Sequence, residues 1–143
     1  MIIKLICIIV HAQLRFPLEK SMPQLVLWGA IFFTLALIFY SIGIWSDFIG
    51  RQLKRWHLIM FGLGVVTDSL GTLLMYLHVG YLIFTAHSIA GFLGLFLMIL
   101  HFSWAYFVLG NNNRQVVFHR FSILVWAFWM VSYISGLYLG LQH

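Results

Sequence analysis

The 143-residue sequence is 63% hydrophobic and 8% charged, with a mean hydropathy of +1.01, which is far too apolar for an ordinary soluble domain. About 20 apolar residues make one membrane-spanning helix, so the chain has room for roughly four spans joined by short loops, and none for a separate soluble domain. A single cysteine, Cys7, excludes a disulfide framework or a Cys-rich zinc or iron–sulfur site within the chain, and the formal charge of +5 comes largely from residues flanking apolar runs, so it is no nucleic-acid footprint.

The chain opens with "IIKLICIIV", too short to span, followed by the polar, proline-broken "HAQLRFPLEKSMPQ". Residues 1–24 read as a weak signal peptide ending at "VHA", as an interfacial segment, or as an extension ahead of a start at Met22. The third reading is preferred, and no function is placed there. Residues 25–143 form the expected domain.

Four apolar runs follow, at roughly residues 25–45, 56–77, 82–109 and 116–141, each long enough to cross a hydrocarbon layer about 30 Å thick. In lipid the backbone must satisfy its own hydrogen bonds, so the runs are expected to be helices and the fold an all-α, integral membrane four-helix bundle. The breaks "SDFIGRQLKR", "HVGY" and "GNNNRQ" are short, which makes successive helices antiparallel. Arg51, Lys54, Arg55, Arg114 and Arg120 flank the first and third breaks, whereas the second break and the C-terminus carry no Lys or Arg. The positive-inside rule then puts the first and third loops in the cytoplasm and the C-terminus on the other side of the cell membrane.

The second run opens with "KRWHLIMFGLGVVTDSLGT", which sets His57 near the basic end and returns Gly64 and Asp68 to its face. Asp68 is the one acid within these runs. Its bland reading is a neutral carboxyl bonded to Thr67, Ser69 or Thr72, and its functional one is a proton relay or a partner that orients His87.

In the third run, "HSIAGFLGLFLMILH" carries a histidine at each end. Fourteen positions separate His87 from His101 by about 21 Å along a helix and about 40° around it, so both rings face the same way. Gly91, Gly94 and Met98 share that stripe, which permits close approach of a neighbouring helix or a flat cofactor. Ordinary small-residue packing is the competing explanation.

The fourth run, "QVVFHRFSILVWAFW", places His119 near the basic end, with Trp126, Met130 and Tyr133 on its stripe. His57, His101 and His119 are thus expected at similar depths on three helices. Each polar ring taken into hydrocarbon needs a partner, and heme iron, which takes two neutral imidazoles, satisfies two at once. Lys54, Arg55, Arg114 and Arg120 stand where propionates would emerge, and Trp56, Phe61, Trp104, Phe118, Phe121 and Trp126 can wall a porphyrin. The bland readings are membrane topology for the cations and interfacial belt or filler for the aromatics. His11, His78 and His143 are expected to face solvent.

"KRWH", "TDSLGT", "HSIAGFLGLFLMILHFSWA" and "FHRFSILVWAFW" resemble the small bacterial and archaeal four-helix heme-sensing membrane protein A family over roughly residues 22–140. The resemblance implies heme binding in the membrane and protection against heme or oxidative stress, with His57, His87, His101 and His119 as candidate ligand positions. The likeness to b-type cytochromes is architectural only.

The resulting expectation is a heme b protein of electron transfer or heme sequestration rather than an enzyme. His57 and His119 are the axial pair, His101 is the alternate, and Gly64, Gly94, Arg55 and Arg120 line the cofactor. The rival classes are a membrane metalloenzyme using the histidines, and a non-heme transporter or interaction subunit. Asp68 lies about 16 Å beyond His57 along a helix, too far for one metal shell. The expected partners are membrane lipid, heme and an electron donor or acceptor, of which quinone is one candidate; neither the redox partner nor the oligomeric state is legible.

Overall fold

The computed structural model describes the backbone of residues 2–81, 84–110 and 112–141, and the side chains of residues 24–81, 84–110 and 115–140. The chain forms α1 (Ile2–Gly50), α2 (Arg55–Val79), α3 (Ala86–Val108) and α4 (Asn112–Leu141), and no strand occurs among the described residues. Four segments, Gln24–Gly50, Arg55–Val79, Ala86–Val108 and Gln115–Gly140, are long and apolar enough to cross a membrane. The fold is an all-α four-helix bundle, and the chain is a multi-pass membrane protein.

Two helix boundaries differ from the hydropathy pattern. α1 continues past Trp45 to Gly50, because nothing in "SDFI" breaks a helix and the one acid there finds a buried partner. α3 begins at Ala86 rather than at residue 82, because Thr85 caps it: its Oγ accepts the Ser88 N–H at 3.2 Å. Upstream, α1 is helical from Ile2 through Pro17 and Pro23, so the prolines do not end it. A proline removes one backbone donor and bends a helix without having to stop it.

The helices close a ring in which α1 packs on α2 and α4, and α3 packs on the same two, leaving α2 and α4 on one diagonal. Backbone hydrogen bonding finishes α2 at Gly80, whose φ of +79° favours glycine and whose N–H donates to the Tyr76 carbonyl at 2.8 Å. Large aliphatic side chains such as Ile49, Leu124 and Val131 face outward, where a bilayer solvates them. The interior collects polar and aromatic groups instead, as expected when helices gain nothing by burying Leu away from lipid. α1 and α2 approach closely because each offers glycines to the other's rings: a Cβ on Gly43 would lie 2.6 Å from Phe61, and one on Gly71 3.0 Å from Phe33.

Candidate functional site at the basic end of the bundle

His119 lies one turn inside the start of the α4 span, almost fully buried, and its Nδ1 meets the Oδ2 of Asp47 on α1 at 2.8 Å. A carboxylate accepts, so the ring proton sits on Nδ1 and the lone pair on Nε2. That Nε2 is enclosed and has no hydrogen-bond partner, as is the other Asp47 oxygen. One turn earlier on α4, Gln115 Oε1 accepts the Leu53 N–H at 3.1 Å and ties the first loop to this end of α4.

His101 on α3 is 1% exposed and both of its ring nitrogens lack a partner. It stacks on Phe118 of α4 at a centroid distance of 4.7 Å and meets the edge of Phe61 of α2 at 4.9 Å. Phe118 adjoins His119 and Phe61 stands one turn beyond His57, so through these two rings His101 is linked to the other two histidines. The three do not converge, however. Among the described residues no three His, Cys, Asp or Glu groups are placed to hold a bare metal ion.

His57 is occupied differently from the expectation of a free axial ligand. It is the third residue of α2 and reaches back to the N-cap, where its Nδ1 accepts the Lys54 N–H at 2.9 Å. A neutral imidazole that accepts at Nδ1 carries its proton on Nε2. In this arrangement His57 closes a helix end and offers no lone pair to iron.

Asp68 also differs. Its Oδ2 accepts the Trp129 indole N–H at 2.7 Å and the Tyr40 hydroxyl at 3.3 Å, so its partners come from α4 and α1. Thr67 and Ser69 instead donate to carbonyls of their own helix, Thr67 to Leu63 and Gly64 and Ser69 to Val65. His87 pairs with the Ser135 hydroxyl at 2.8 Å, towards the opposite end of the bundle, and not with Asp68. Gly64 and Gly94 do permit close approach, but the groups seated there are the Tyr40 ring and Trp129. His78 is half-buried on the last turn of α2 with its Nδ1 enclosed, not solvent-facing. His143 and the side chains of His11 and Arg114 lie outside the described residues.

Of the expected aromatic wall, Phe61 and Phe118 are buried, Trp104 packs edge-on to Phe118 at 5.6 Å, and Trp126 donates to the Ser41 hydroxyl at 3.1 Å. Trp56 and Phe121 are exposed. Beside His119 a groove of about 650 Å³ opens between α1 and α4, with Arg51 and Arg120 among its lining residues. Arg55 borders a different groove, with Leu58, Tyr106 and Leu109.

Asp47 is the functional candidate that hydropathy alone hides, because it lies beyond the last apolar residue of the first run. Once α1 is allowed to reach Gly50, Asp47 falls seven residues after Tyr40, on nearly the same face, and that spacing was the available signal. When compared with known proteins, the chain matches no family model, no curated protein and no solved structure.

Proposed function

We propose that the chain is a membrane-embedded b-type heme-binding protein acting in electron transfer or heme sequestration, with its first and third loops and its heme towards the cytoplasm. The observation that carries the reading is the pair of buried imidazoles with an unpartnered lone pair each, on His119 Nε2 and on one of the two unpartnered ring nitrogens of His101. Leaving such a lone pair unsatisfied costs about 1–3 kcal/mol, and a bond to iron would remove that cost for one nitrogen of each ring.

The donor set fits heme. His119 has the carboxylate-backed ring that metal-bound histidines usually have, which fixes the ring and strengthens its lone pair. His101 is the second ligand in this reading, in place of His57, whose Nδ1 is engaged by the Lys54 N–H. Phe61 and Phe118, which pack against His101, would supply apolar walls. When bound, heme iron supplies one-electron exchange. The resemblance to the heme-sensing membrane protein A family points the same way.

The test is the absorption spectrum of protein purified in mild detergent from heme-replete cells, oxidised and reduced. A low-spin b-type spectrum with about one heme per chain is expected from two imidazole ligands. Colourless protein from the same cells would overturn the reading.

A further inference from the structure

The groove between α1 and α4 is built from two kinds of surface. Phe48, Ile49 and Val116 are exposed apolar residues on the lipid-facing side. Arg51, Gln52, Gln115 and Arg120 line the rest, with His119 between the groove and the core. Among the described residues no acid lines the groove and neither arginine forms an ion pair. The nearest carboxylate, Asp47, is 0% exposed and already bonded to His119. Two guanidiniums bordering one cavity without a counter-charge favour an anionic occupant, and guanidinium forks match carboxylates in bidentate geometry.

Arg51 adds an independent observation. Its φ of +48° makes it the one non-glycine residue with positive φ among the described residues. That conformation costs a side-chain-bearing residue about 1–2 kcal/mol. Gly50 beside it would take the same conformation without that cost, so the strain falls on the residue that carries a charge to the groove.

We propose that this groove takes the carboxylate edge of a membrane-dissolved tetrapyrrole, with Arg51 and Arg120 each holding one propionate and the ring entering sideways from the bilayer past Phe48, Ile49 and Val116. The proposal rests on the heme reading and goes beyond it, because it assigns a carboxylate clamp and a lateral route that iron ligation does not require. Lys54 and Arg55, among the expected propionate partners, do not line this groove.

The experiment uses the full chain in nanodiscs and two iron-free probes, protoporphyrin IX and its dimethyl ester, whose binding is read by porphyrin fluorescence and involves no iron–histidine bond. The free acid is expected to bind at least about tenfold more tightly than the ester, since the ester forfeits two charge-assisted hydrogen bonds. The double variant Arg51→Gln/Arg120→Gln should bind the free acid only as weakly as the ester, and Arg51→Lys/Arg120→Lys should recover part of the difference. Helical circular dichroism and thermal unfolding report whether each variant is folded. Equal binding of acid and ester, or no effect of the double glutamine variant, overturns the clamp. So does an Arg-dependent loss of porphyrin binding as phosphatidylglycerol replaces neutral lipid in the nanodisc, because the groove would then be a lipid head-group site. Heme added to the same samples keeps the two readings apart: a histidine-dependent heme spectrum with an intact ester response refutes the clamp alone, and failure to bind either porphyrin or heme refutes both.

Discussion

Asp47 on α1 and His119 on α4 stand 72 residues apart in the chain and 2.8 Å apart in the bundle, and the carboxylate is wholly shielded from water. Each makes the other tolerable. A lone carboxylate in the first span would lack compensation for its lost hydration, and a lone imidazole would leave an N–H without an acceptor. The pairing also has a chemical consequence: holding the proton on Nδ1 leaves the His119 lone pair on Nε2.

Asp47→Ala is expected to destabilise the bundle by about 1–3 kcal/mol through the unsatisfied His119 N–H, and to weaken heme binding about 10–100-fold through loss of the supporting carboxylate. Asp47→Asn supplies an amide oxygen for the same N–H without the charge, so it should retain heme with a raised reduction potential. Thermal unfolding in detergent, heme titration and redox potentiometry measure the three effects. The role assigned to Asp47 fails if the alanine variant matches the wild type in both stability and heme affinity.

His57 should behave as a helix cap. Its replacement by alanine removes the acceptor of the Lys54 N–H, which costs about 0.5–2 kcal/mol as cap losses do, and leaves the low-spin spectrum in place. His101→Ala and His119→Ala should each remove an axial ligand, giving high-spin or heme-free protein. The decisive contrary result is a preserved spectrum in His101→Ala together with a lost one in His57→Ala. The α2–α4 diagonal would then hold the iron and the capping contact would have to open.

Sequence alone carries the bundle well, because spanning lengths and backbone satisfaction in lipid leave few alternatives. Counting residues from the basic loops also sets His57, His101 and His119 towards the same end of the bundle. What counting misses is how each ring is used. His57 falls in the first turn of α2, where an unpaired N–H competes for its nitrogen. Proximity in sequence offers Asp68 the hydroxyls of its own helix, yet a helical Thr or Ser readily donates to its own backbone, which leaves Asp68 to donors from other helices. Asp47 escapes a hydropathy pattern because an apolar run ends at its last apolar residue, whereas a helix ends where its backbone bonds do.

The basic flanks make orientation testable. Arg51, Lys54, Arg55 and Arg120 cluster at one end of the bundle, and the residues around Gly80 carry no Lys or Arg. A reporter fused after residue 143 should register outside the cytoplasm, and one inserted near residue 112 should register inside it. The opposite pattern would move the His119 layer to the outer side without altering its contacts.

Asp68 gathers donors from two other helices near mid-bilayer, so its removal should be costly and its isosteric replacement mild. Asp68→Leu strands the Trp129 indole N–H and the Tyr40 hydroxyl, and at about 1–3 kcal/mol for each unsatisfied donor the loss should be about 2 kcal/mol or more. Asp68→Asn keeps an acceptor oxygen and should cost about 1 kcal/mol or less, and Tyr40→Phe should cost about as much through the longer of the two bonds. Because His87 pairs with Ser135 rather than with Asp68, combining His87→Ala with Asp68→Leu should be additive within about 0.5 kcal/mol. Equilibrium unfolding in detergent, followed by tryptophan fluorescence, measures all four. A coupling clearly larger than that would mean that Asp68 does reach His87, and that the two polar sites on α2 and α3 work as one proton-carrying network rather than as separate ties between helices.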